Sequence, residues 1–139
     1  MKGLAEYRQT LLEALAAECG GQVYLRQDVI PREYPCGGYE FRGFEREGMT
    51  DSGCQGYFKF NLYLVEEITD YGNNGDTYIS GSANEVDGSE RIWERAEKLS
   101  KRLKVQRIGT ERIEVYPMEG DAGRELVAAR LEVACKYRY

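Results

Sequence analysis

Between residues 124 and 139, Val127, Ala129, Leu131, Val133, Cys135, Tyr137 and Tyr139 occupy every second position. Successive side chains of an extended strand point to opposite faces, so this pattern predicts one long amphipathic β-strand. Its apolar face must be covered and its edges need neighbours, so the rest of the chain must supply further strands and something to lie over them. The 16 residues of this run would span roughly 50 Å at about 3.3 Å each. A compact domain of this size is roughly 35 to 40 Å across. The strand is therefore expected to bend or to project beyond its domain, where an uncovered apolar end invites a partner.

The other elements can be read in chain order. Leu4, Tyr7, Leu11, Leu12 and Leu15 recur at helical spacing, and Cys19-Gly20-Gly21 ends that helix because glycine accepts the left-handed backbone of a C-cap. Residues 22–29 read as a strand, and Pro31 and Pro35 bracket the connection that follows. Residues 38–47 form an aromatic strand bent or bulged at Gly43. Residues 48–56 carry the turn residues of a hairpin loop. Residues 57–66 alternate Phe58, Phe60, Leu62 and Leu64 inward with Lys59 and Asn61 outward, as a central strand would.

Residues 67–88 hold Tyr71-Gly72-Asn73-Asn74-Gly75-Asp76 and no sustained period, which predicts a long irregular loop. A second helix starts near Asp87 or Ser89, with Asp87 and Glu90 at capping-box spacing. Its stripe of Ile92, Trp93, Ala96, Leu99 and Leu103 faces the sheet with Trp93 in the core, while Arg91, Arg95, Lys98, Lys101 and Arg102 face outward. A strand over residues 107–117 and the terminal strand meet at a turn around Glu119-Gly120-Asp121. The prediction is a single α+β domain over residues 1–139. It has a mainly antiparallel sheet of about five strands, two helices packed on one face, and the order α-β-β-β-α-β-β.

Several function classes are disfavoured. The chain has no histidine, so the commonest general base and metal ligand is missing. Cys19, Cys36, Cys54 and Cys135 lie far apart without a C-x-x-C pair and read as buried, reduced thiols. No glycine-rich phosphate loop occurs. Asp70, Asn73, Asn74 and Asp76 lack the register of a calcium loop and read as turn-formers. The expectation is a protein without catalytic residues, metal or cofactor. No run suits a signal peptide or a membrane span, which predicts a cytoplasmic protein with no membrane partner. A net charge of -5 speaks against holding nucleic acid through a general basic face.

That mean conceals an asymmetry. Residues 66–90 carry seven acidic and no basic residues, whereas residues 91–112 carry eight basic and three acidic. An acidic loop of one copy could meet the basic helix of the next, and such head-to-tail contacts make rings or filaments. The interface candidates are Asp70, Tyr71, Asp76 and Tyr78 on the loop, Arg95, Lys98, Lys101 and Arg102 on the helix, and Tyr137 and Tyr139 on the terminal strand.

In the order of these elements, the aromatic strand pair 39–44 and 57–64, and the terminal hairpin ending in Gly123-Arg124-Glu125-Leu126-Val127 to Tyr139, the chain resembles the tail terminator (tail-completion) proteins of long-tailed phages and related tail-like particles. The resemblance covers most of the chain. It implies a homo-oligomeric ring, typically of six subunits, that stops tail-tube polymerisation and joins the tail to head or neck proteins. It also implies a life that begins in the cytoplasm during assembly and ends in the particle. The extended loop at 67–88 departs from the shorter members.

Overall fold

The computed structural model describes residues 2–20, 23–24, 35–50, 53–67, 88–119 and 125–139. Helix α1 (Leu4–Cys19) ends where Gly20 takes a φ of 70°, the left-handed cap expected of glycine. Five strands follow in sequence, interrupted by one further helix: β1 (Val23–Tyr24), β2 (Cys36–Thr50), β3 (Gly53–Glu67), α2 (Gly88–Val105), β4 (Gly109–Glu119) and β5 (Glu125–Arg138).

Both helices cover the same face of the sheet. Tyr7, Leu11, Leu15 and Cys19 of α1 and Ile92, Ala96, Leu99 and Leu103 of α2 join Phe60, Leu62 and Leu64 of β3 and Val127, Ala129, Leu131, Val133 and Cys135 of β5 in one buried cluster. The alternating residues of β3 and β5 are thus the floor of the core, and β3 is central, with β2 and β5 antiparallel on either side of it. All four cysteines are buried and free.

The sheet is mixed, with strand order β1-β2-β3-β5-β4. This corrects the expectation of a mainly antiparallel sheet at its β1 edge, because β1 pairs with β2 in parallel through Val23↔Gly37 and Tyr24↔Gly38. A parallel pair cannot be closed by a tight turn, and residues 25–35, between Tyr24 and Cys36, supply the longer connection it requires. At the other end β5 inserts between β3 and β4, so the chain leaves β3 for an edge and returns inward.

The β2–β3 hairpin is longer than its turn residues suggested. Gly48 pairs with Gln55 and Thr50 with Gly53, so most of the 48–56 stretch is ladder. Register shifts fall between Phe41 and Gly43 and between Arg46 and Gly48. Gly43, at φ 109°, occupies a backbone region that side chains disfavour.

Trp93 is not in the core but 43% exposed. Ile92, Ala96, Leu99 and Leu103 form a narrow buried stripe, and at 3.6 residues per turn Trp93 lies about 90° from its centre. Of the first predicted strand only Val23 and Tyr24 are described; Asp87 and the predicted loop between Glu67 and Gly88 lie outside the described residues.

Candidate assembly surface

The far end of the sheet is three strands wide. β4 begins at Gly109, opposite Ala134, so among the described residues β5 beyond Ala134 is flanked by β3 alone. The terminal strand does not project by itself, because the β2–β3 hairpin runs alongside it. Tyr139 exchanges backbone hydrogen bonds with Cys54 at 2.6 and 2.8 Å, closing the ladder at its last residue.

On the helix-side face of this end lies a cluster of rings. Phe58 stacks on Tyr137 at 4.9 Å between centroids, Tyr137 on Tyr139 at 5.7 Å, and Phe44 edges against Phe58 at 5.3 Å. Gly56 makes room for this packing, since a Cβ there would stand 2.8 Å from the Phe44 ring. The cluster is only partly covered: Phe41 is 43% and Tyr139 60% exposed. Large exposed rings side by side mark contact surfaces more often than scattered apolar residues do. From α1 the Tyr7 hydroxyl donates to the Lys136 carbonyl at 2.6 Å, occupying an edge acceptor that no strand pairs. Burial, with Cys135 and Glu6 nearby, raises the pKa of Tyr7 and keeps that donor protonated.

The cations of α2 are placed differently from the outward row that helical spacing suggested. Arg95 pairs with Glu66 at 2.7 Å and donates to the Glu18 carbonyl at 3.3 Å. Arg91 also reaches Glu66, at 3.3 Å, and Arg102 pairs with Glu18 at 3.1 Å. The geometry explains the turn inward: these arginines flank the buried stripe on the side away from Trp93, within reach of β3 and α1. Lys101 pairs with Glu97 along the helix at 3.1 Å and stays exposed, as does Lys98. Asp70, Tyr71, Asp76 and Tyr78 lie outside the described residues, so their expected meeting with the helix is not seen.

Glu66 is the buried member of this clamp, at 6% exposure. Glu66→Gln keeps its shape but removes the charge. Because both arginines can swing back to water, the expected loss is about 1 to 3 kcal/mol, read as a lower urea midpoint with an unchanged slope.

Among the described residues no helix covers the other face, which carries a lattice of charges. Lys59 reaches Glu111 on β4 at 2.7 Å and Glu45 on β2 at 3.4 Å, crossing β5 above the small Ala134. Burial works against the Lys59 ammonium, but the two carboxylates outweigh it and its pKa is raised. Arg42 pairs with Glu132, and Arg130 with Glu114. Opposite charges linked in this way tie the strands together across the sheet.

Three of the four thiols are held in the protonated form near neutrality. Burial pushes Cys19 to about 12, with Cys36 adding to the shift, and pushes Cys36 to about 11 and Cys135 to about 12.

No known family model matches the chain, and no curated protein matches it. The surface therefore has to be argued from its own residues. Tyr137 and Tyr139 were placed on one face by strand alternation, whereas Phe58 was read as inward and Phe41 and Phe44 only as part of an aromatic strand, because alternation shows which face a ring takes and not how far the helices extend over it. No helix of the described residues is long and apolar enough to cross a membrane.

Proposed function

We propose that the chain is a structural subunit of a phage tail or tail-like particle, forming a ring that terminates the tail tube and joins it to the head or neck. The observation that carries this reading is the sheet end just described, where five neighbouring rings, two of them exposed, sit beside strand edges with no neighbour among the described residues. A monomer gains nothing by leaving such a surface in water, whereas a second copy would bury it at roughly 25 cal/mol for each Å² of apolar area. The element order α-β-β-β-α-β-β agrees with the tail-terminator resemblance. The buried, protonated thiols of Cys19, Cys36 and Cys135 favour structure over catalysis as the role of these cysteines. In this reading the subunit assembles in the cytoplasm and ends in the particle, with tail-tube and head or neck proteins as neighbours.

Native mass spectrometry of the purified chain over a wide concentration range is expected to give a closed oligomer, with six subunits the leading count. A monomer at every concentration would remove the reading.

A further inference from the structure

The rings at the sheet end form a shelf that the helices leave partly uncovered, and its counterpart lies elsewhere on the same molecule. We propose that this shelf receives the Trp93 flank of α2 from a second copy. The inference rests on the self-association reading above and names the two surfaces that would meet.

Trp93 is the chain's one tryptophan, and it is exposed. Ile92 and Ala96 beside it are buried, so the ring stands at the corner where the helix layer meets solvent. At 3.6 residues per turn, Glu97 and Glu90 lie about 40° and 60° from it around the axis, one turn to either side, and Glu94 follows at about 100°. All three acids are exposed. Lys101, which holds Glu97, and Lys104 come only further along the helix. The flank is therefore an aromatic ring set among acids.

The shelf carries the opposite charge on its rim. Arg46 pairs with Gly56 and Gly56 with Tyr137, which puts Arg46 on the ring face, two residues beyond Phe44. Where α1 borders the rings, burial raises the pKa of Tyr39 and nearby Arg8 works against that rise. Tyr39 shares its face of β2 with Phe41, so Arg8 and Arg46 stand toward the two ends of the β2 side of the shelf. Both arginines are exposed. Glu6, the acid closest to Tyr7, is turned to the Gly3 N–H of its own helix start.

Within one copy these surfaces cannot meet. Arg91 and Arg95, on either side of Trp93 in sequence, both bond Glu66, which lies eight residues along β3 from Phe58. At about 3.3 Å per residue that is roughly 26 Å. Between copies, a corner on one molecule enters a step on the next. Tryptophan and arginine are among the residues that most often carry binding energy at such contacts, and opposite charges around the rings select which surface goes where. Because the joined surfaces differ, the contact is heterologous, and repetition gives a ring or a filament.

A lone tryptophan makes the contact directly readable. Diluting the wild type through its assembly midpoint, as followed by native mass spectrometry, should move Trp93 emission to longer wavelength as the ring returns to water. Trp93→Ala is expected to raise the concentration needed for assembly on the order of tenfold or more, with circular dichroism confirming that the variant is folded. Glu94→Lys with Glu97→Lys should act likewise, and so should Arg8→Glu with Arg46→Glu. An equimolar mixture of these two paired variants should assemble again in alternation, because each basic flank then finds an acidic rim and each acidic flank a basic rim. If the wild type assembles with its emission unchanged, or the mixture of two impaired variants fails to recover, the Trp93 contact is wrong while self-association stands. Folded variants that assemble as well as the wild type overturn it too. A wild type that stays monomeric removes both readings together.

Discussion

Phe60→Ala should lower the stability of the chain by about 3 to 5 kcal/mol, the cost of emptying a large buried aromatic site. Phe60 lies on the central strand at 1% exposure, with Tyr39 at 5.6 Å and Phe41 at 5.4 Å between ring centroids. It sits in the same buried cluster as residues from both helices, so neither layer can close the space alone. For domains stable by about 5 to 15 kcal/mol this is a large share. The thermal midpoint should fall by roughly 10 to 20 °C. Phe41→Ala is the internal comparison, because that ring is already 43% exposed and its loss should cost far less. Equal losses at the two positions would show that the helices do not cover the sheet as described.

Alkaline pH should unfold the protein over a narrow range. Cys19, Cys36 and Cys135 have folded pKa values of about 12, 11 and 12 against an ordinary 9.0. A raised folded value means that the thiol favours the folded state when protonated. This contribution is complete below pH 9 and is lost as the pH climbs toward the folded values, because the unfolded chain releases its protons first. Each such group costs about 1.4 kcal/mol per pH unit inside that window, so three together approach about 4 kcal/mol per unit. Urea midpoints at pH 8, 9 and 10 should be level at first and then drop steeply. A flat profile to pH 11 would mean that the thiols are open to water. Cys135→Ala should shift the decline upward while lowering stability at pH 8 through lost packing.

What the sequence disclosed divides along physical lines. Phe58, Phe60, Leu62 and Leu64, the alternating face of the terminal strand, and Leu11, Leu15, Leu99 and Leu103 could be placed because local periodicity is set by backbone geometry. Gly20 and Gly43 were readable for a related reason, since few other residues tolerate their backbone angles. The parallel β1–β2 pair was not, because a strand's own pattern is the same whichever way its neighbour runs. Arg91 and Arg95 were assigned to solvent because their partner, Glu66, belongs to another element, and helical spacing says nothing about what lies within reach of a long side chain. For the candidate surface, strand alternation could put tyrosines 137 and 139 on one face, but not how much of that face the helices leave uncovered, because coverage depends on other elements.

The clamp at Glu66 bears on how far relatives of this chain could diverge in length. By bonding Arg91 and Arg95 to the end of β3, it holds the end of β3 against the start of α2 and so closes the gap between them. Once such a gap is closed, lengthening the connection is cheap, about 0.6 kcal/mol for each doubling. A change in the length of chain between Glu67 and Gly88 should therefore cost the helix layer and the sheet little as long as Glu66 keeps both arginines.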